Sequence, residues 1–154
     1  MDRCELLLTL NDLLRTSNDG EKRFRSCAHH AANINLKRLL YAAAERCAEG
    51  AEQLRAKIRA LGGEPRSAGS VGGSTGIDDH AILAECERDE HMAKHEYEAA
   101  LDADLPCDVR AMVGRHYRVV TQNHDKIRIL RNTGDHGEHR FDYKPDAGRR
   151  IIQS

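Results

Sequence analysis

Four stretches of this chain set apolar residues alternately three and four positions apart, a spacing that commits them to helices sharing one buried side. In the first, Leu7, Leu10, Leu14, Ser17, Glu21, Phe24, Ala28 and Ala31 fall on one stripe, which predicts a single long helix ending near Asn33. Ser17-Asn18-Asp19-Gly20 is turn-like, but the phase runs through it unbroken, and an interior glycine costs only about 1 kcal/mol relative to alanine. The second stripe carries Leu36, Leu40, Ala43, Cys47, Gly50, Leu54 and Leu61, with Ile58 beside it, and closes on Gly62-Gly63 as a left-handed helix cap does. Residues 64–77 are dense in Gly and Ser and predict a flexible connection. Asp78 is placed to cap a third helix with Leu83, Cys86, Glu90, Ala93, Tyr97 and Leu101 inward. Pro106 suits the first turn of a fourth, whose stripe is Val109, Val113, Tyr117, Val120, His124 and Ile127, with a stop near Asn132-Thr133-Gly134.

Helices of about 26 residues are each about 39 Å long and match one another in length. The first and last connections are short and force two antiparallel hairpins, while the Gly/Ser link reaches about 50 Å when extended. Two hairpins joined by one long crossover is the connectivity of a ferritin-like four-helix bundle, whereas a simple up-and-down bundle needs only a short third link; length alone permits either. The expected fold is therefore all-α, with the bundle over residues 1–132 and an irregular tail over residues 133–154.

Charge narrows the function classes. Acidic and basic residues number 25 and 24, without a long single-sign run, which argues against nucleic acid and anionic membrane as partners. Leu6-Leu7-Leu8 is too short for a signal-peptide core, and no apolar run approaches spanning length, so a cytoplasmic location is expected. Cys4, Cys27, Cys47, Cys86 and Cys107 contain no CxxC pair and are expected to stay reduced, the inward three as small apolar side chains.

The informative departures are ionisable groups on apolar stripes, because an unpaired carboxylate in a core is expensive. Glu21, Glu90 and His124 stand at matching heights when counted from the short links, predicting one polar layer at mid-bundle. A di-iron site in such a layer takes one Glu from each of two helices and Glu-x-x-His from each of the others. Here the second helix offers Glu49-Gly50-Ala51-Glu52 and the fourth Thr121-Gln122-Asn123-His124, so the set falls short of two irons. A single iron, manganese or zinc ion on Glu21, Glu90 and His124, with support from Glu49, Glu52 or Glu87, is the metal expectation. His91 and His95 share one outward helix face with Glu87 a turn earlier, and solvation is their expected state. His29-His30 suits a helix C-terminus, and Asp135-His136-Gly137-Glu138-His139 is a weak metal-binding tract.

A pattern spread over residues 7 to 131 resembles a known family. It comprises Leu10-Asn11-Asp12-Leu13, Asp19-Gly20-Glu21, Leu61-Gly62-Gly63-Glu64-Pro65, Gly69-Ser70-Val71, the run from Ile82 to Glu90, Tyr97-Glu98-Ala99-Ala100-Leu101 and His124-Asp125. These are similar to the bacterial ferritin-like proteins grouped as the domain of unknown function DUF2383. The resemblance implies the ferritin-like fold and no established activity. Together these features predict a non-catalytic, stress-associated protein with a degraded di-iron layer, against the alternative of oxidase or peroxide chemistry at a mid-bundle Glu/His metal. Apolar residues off the stripes, Leu6, Leu13, Leu39, Val119 and Ile129, predict a homodimer or higher homo-oligomer.

Overall fold

The computed structural model describes residues 1–66 and 79–140, with side chains in full as far as residue 132. Four helices make it up: α1 (Arg3–His30), α2 (Ile34–Ala60), α3 (Asp79–Asp102) and α4 (Cys107–Arg140). α1 opens on Asp2, whose carboxylate accepts the Glu5 N–H at 2.8 Å. It runs without a break through Ser17-Asn18-Asp19-Gly20. A Cβ at Gly20 would meet Cys47 Sγ at 3.2 Å, so glycine there lets α2 lie close. α1 stops at His30, short of the expected Asn33, because Asn33 caps the next helix: its Oδ1 accepts from the N–H groups of Asn35 and Leu36. α2 ends as expected, with Gly62 at φ 83°.

Pro106 stands immediately before α4, its carbonyl accepting the Arg110 N–H at 2.8 Å. α4 then passes the expected stop near Asn132 and reaches Arg140, so the backbone of residues 133–140 is helical, not irregular. One glycine weakens a helix by about 1 kcal/mol, too little to end an established one. The cap expected at Asp78, the linker over residues 67–78 and the tail over residues 141–154 lie outside the described residues.

Polar contacts fix the connectivity. At one end, Arg3 Nη1 donates to the Leu61 carbonyl at 2.7 Å and Lys57 Nζ lies 2.7 Å from Asp108 Oδ2, which gathers the start of α1, the end of α2 and the start of α4. At the other, Asp79 accepts the N–H groups of Ala32 and Asn33, both at 2.9 Å, seating the start of α3 against the α1–α2 turn. α2 therefore finishes at one end of the bundle and α3 begins at the other. The link between them is a full-length crossover, and each helix packs antiparallel to its neighbours: α1 on α2 and α3, α4 on α3 and α2.

The core falls into two apolar clusters. Leu10, Leu14, Leu54, Ile58, Val109 and Val113 belong to one, and Phe24, Leu40, Ile82, Cys86 and Ile127 to the other. Between them three helices present buried polar side chains, Ser17 and Asn18 on α1, Glu90 on α3, and His116, Asn123 and His124 on α4, and face Cys47 and Gly50 of α2. Leu6 and Leu13, expected on an outer face, are buried within the chain, because the apolar face of α1 is wider than a single-file stripe.

Candidate functional site: a polar layer at mid-bundle

Two cavities flank the layer and share a wall of Ser17, Cys47, Tyr97 and Val120. One, of about 150 Å³, is lined by Gly20, Phe24, Cys86 and Glu90, with Asp89 and Arg23 at its edge. The other, of about 200 Å³, is lined by Gly50, Gln53, His116 and Asn123. The wall is braced by a 3.1 Å hydrogen bond between the Ser17 and Tyr97 hydroxyls. Gly50 leaves room for the His116 ring, whose Nδ1 would lie 3.6 Å from a Cβ placed there. His116 Nε2 is 2.7 Å from Gln53 Oε1, which seats the ring proton on Nε2.

Five buried polar atoms in and around the layer make no hydrogen bond: Asp19 Oδ1, Glu90 Oε2, His116 Nδ1, Asn123 Nδ2 and His124 Nδ1. Burial governs the charge state of their surroundings. Glu90 is 4% exposed, and desolvation, with the Asp89 charge adding, pushes its carboxyl up to about 8. Desolvation, with Arg115 adding, pushes His116 down to about 4. The Cys47 thiol is pushed well up by burial and by the Glu90 and Glu21 carboxylates, and burial likewise raises Tyr97. Near neutral pH the layer is thus dominated by an acid, an imidazole, a thiol and a phenol in their uncharged forms. A thiol held protonated is no nucleophile.

The expected ligands scatter. Glu90 lines the first cavity from a buried position, as the stripe predicts, while Glu49 reaches only the rim of the second. Glu21 turns to Arg25, 3.0 Å away, and Arg25 reaches on to Glu45 at 3.2 Å. Glu49 is exposed, Glu52 is exposed and pairs with Arg55 at 3.2 Å, and Glu87 pairs with Arg131 of α4. His124 is buried, with Nδ1 3.9 Å from Asp125 Oδ1 and its ring 5.9 Å from that of His91. Among the described residues, no three His, Cys, Asp or Glu side chains are grouped to hold a metal ion. Asp19, beside Glu90 in the first cavity, has one buried oxygen without a hydrogen bond, and desolvation raises its carboxyl as well. Two carboxyls that burial shifts toward the protonated form, with no third ligand grouped beside them among the described residues, do not fit a pair of irons. Cys27 and Cys86 are buried neighbours, their thiols hydrogen-bonded to each other, as expected of packed cysteines. His29 and His30 occupy the last turn of α1, with His30 Nδ1 2.9 Å from the Ser26 carbonyl.

His116 and Asn123 are not among the residues that the stripe through Tyr117 and His124 marks as inward. The fourth stripe counted through Tyr117 and His124 runs one step beside the buried line, which is Val113, His116, Val120, Asn123 and Ile127. Strict alternation of three and four from Val113 finds both.

Four antiparallel helices in two hairpins, joined by an end-to-end crossover around a mid-height polar layer, define a ferritin-like four-helix bundle. A crystal structure from Anabaena variabilis, of a two-domain protein containing DJ-1/ThiJ/PfpI-like and ferritin-like domains, is similar with a TM-score of 0.79 and 14% identity, over 97% of this chain and 42% of that one. At that identity the likeness shows the fold alone, and this chain spans less than half of its neighbour's length. A comparison with curated proteins finds no match. The family model of DUF2383, a domain of unknown function, matches residues 5–103, and the chain belongs to that family. The match takes in α1 to α3 with Glu90, and leaves out α4 with His116, Asn123 and His124.

Proposed function

We propose that this chain is a non-catalytic ferritin-like protein whose mid-bundle layer serves as uncharged polar packing in place of a metal centre. The observation that carries this is Glu90: its carboxyl is buried at the centre, and one oxygen lacks any hydrogen-bond partner. An ionised carboxylate so placed would be worth several kcal/mol of destabilisation, so the proton is the partner that replaces a metal. Self-association belongs to the same proposal. Its carriers are the exposed Leu8, Ile34, Tyr41, Met92 and Ile129, and sedimentation equilibrium showing only monomer at high micromolar concentration would remove it. No helix among the described residues is long and apolar enough to cross a membrane, which agrees with work in an aqueous compartment.

The rival reading places iron, manganese or zinc on Glu21, Glu90 and His124 with oxidase or peroxide chemistry, and draws on the same unpartnered Glu90 oxygen. Elemental analysis of untagged protein purified without chelator separates them. The proposal expects iron and manganese far below one equivalent, and a melting temperature unmoved by adding either. Near-stoichiometric iron or manganese that disappears in Glu90→Gln would overturn it.

A further inference from the structure

α3 carries another histidine arrangement, on its outer face and away from the cavities. His91 and His95 are exposed and one turn apart, with rings nearly perpendicular at 87° and centroids 4.5 Å apart. Their Nε2 atoms face each other at 3.1 Å. Imidazole nitrogens bind zinc at about 2.0–2.1 Å, and two of them at this spacing subtend about 100° at a shared ion. That angle lies between the cis angle of a tetragonal site, about 90°, and the tetrahedral angle, about 109°.

A second group orients the pair. Glu98 Oε1 lies 3.4 Å from His95 Nδ1, and Tyr117, on α4, donates its hydroxyl proton to Glu98 Oε2 at 2.8 Å. The Glu98 carboxylate, in charge contact with Nδ1 and not hydrogen-bonded to it, favours the ring proton on that side and leaves the Nε2 lone pair turned toward His91, the side of the ring where carboxylates orient metal-bound histidines. With the His95 proton on Nδ1, the metal-free pair has His91 Nε2 as donor and His95 Nε2 as acceptor. An ion entering between them takes the place of the donated proton, which moves to the other nitrogen of His91.

We propose that His91 and His95 form a two-imidazole clamp for a divalent late first-row transition ion, copper(II) or zinc, with Glu98 orienting His95 and water completing the coordination. Magnesium and calcium, which take oxygen ligands, do not suit this donor pair. Calorimetric titration of the untagged full chain with CuCl2 and with ZnCl2 tests it. One equivalent is expected to bind, with affinity at least tenfold weaker in His91→Ala and in His95→Ala and unchanged within twofold in the His136→Ala/His139→Ala double variant. Glu98→Gln is expected to weaken binding by about tenfold while stoichiometry holds. Helix content and melting temperature without metal should match wild type in the two clamp variants, since both side chains are exposed. Binding that survives loss of His91 or His95, vanishes with the tail histidines, or is absent from the wild type would overturn the clamp; an unchanged Glu98→Gln would overturn the orienting role. Glu90 takes no part, so this outcome is separate from that of the mid-bundle proposal.

Discussion

Glu90 and His116 bury opposite chemistries in one layer, and their effects on stability run in opposite directions with pH. The Glu90 carboxyl, moved from 4.5 to about 8, keeps its proton in the fold where the unfolded chain has lost it. The folded state binds more protons in that window, so stability falls as pH rises through it. His116, moved from 6.5 to about 4, stays neutral in the fold while the unfolded chain takes a proton, so its contribution is lost as pH falls from 6.5 toward 4. Between 4.5 and 6.5 the two slopes oppose each other, and above 6.5 that of Glu90 stands alone. The contribution of this pair to the urea-unfolding free energy should therefore be nearly level around pH 5 to 6 and drop by about 1–2 kcal/mol from pH 6.5 to pH 8. In His116→Gln the decline should begin near the lower edge of the Glu90 window, and a profile identical to wild type would contradict the assignment. The sequence announces Glu90, because a carboxylate on an apolar stripe is conspicuous. It does not announce that Glu21, on an equally good stripe position, turns to Arg25: the choice between core and ion pair rests on the neighbour Arg25 shares with α2, Glu45.

At the scale of the helices, periodicity locates each element and caps decide its ends. The α1 stripe continues in phase to Ala31, yet the helix ends at His30 because Asn33 makes the stronger start for α2. Ser17-Asn18-Asp19-Gly20 reads as a turn by composition and proves to be polar for another reason. Ser17 and Asn18 face the layer, where Asn18 Oδ1 accepts from Arg55 at 2.8 Å, and Gly20 gives way to Cys47. Asp79 ties α3 to the α1–α2 turn through two backbone N–H groups, a contact between residues 46 and 47 positions apart that local pattern does not reveal. Asp79→Ala should lower the unfolding free energy by about 1–2 kcal/mol and speed hydrogen exchange at the Ala32 and Asn33 amides. Unchanged exchange at those amides would show that the seat of α3 lies elsewhere.

Over the whole molecule, the two-hairpin plan follows from helix lengths and link lengths, but length alone leaves open whether the long link runs the full height of the bundle. End contacts decide it: Arg3 with Leu61 sets the end of α2, and Asp79 with the α1–α2 turn sets the start of α3 at the opposite end. The same plan splits the apolar core in two and leaves the polar layer between the halves, so loss of metal ligands does not require loss of fold: each cluster is complete on its own side. Under the function proposed above, this layer holds together as neutral packing. Its most direct test is the urea midpoint of Glu90→Gln against wild type at pH 8 with manganese(II) or iron(II) present under anaerobic conditions. Glutamine keeps the shape and cannot ionise, so the variant should unfold at the same or a higher urea concentration, whereas a midpoint lowered because the wild type alone gains stability from the added metal would contradict the account.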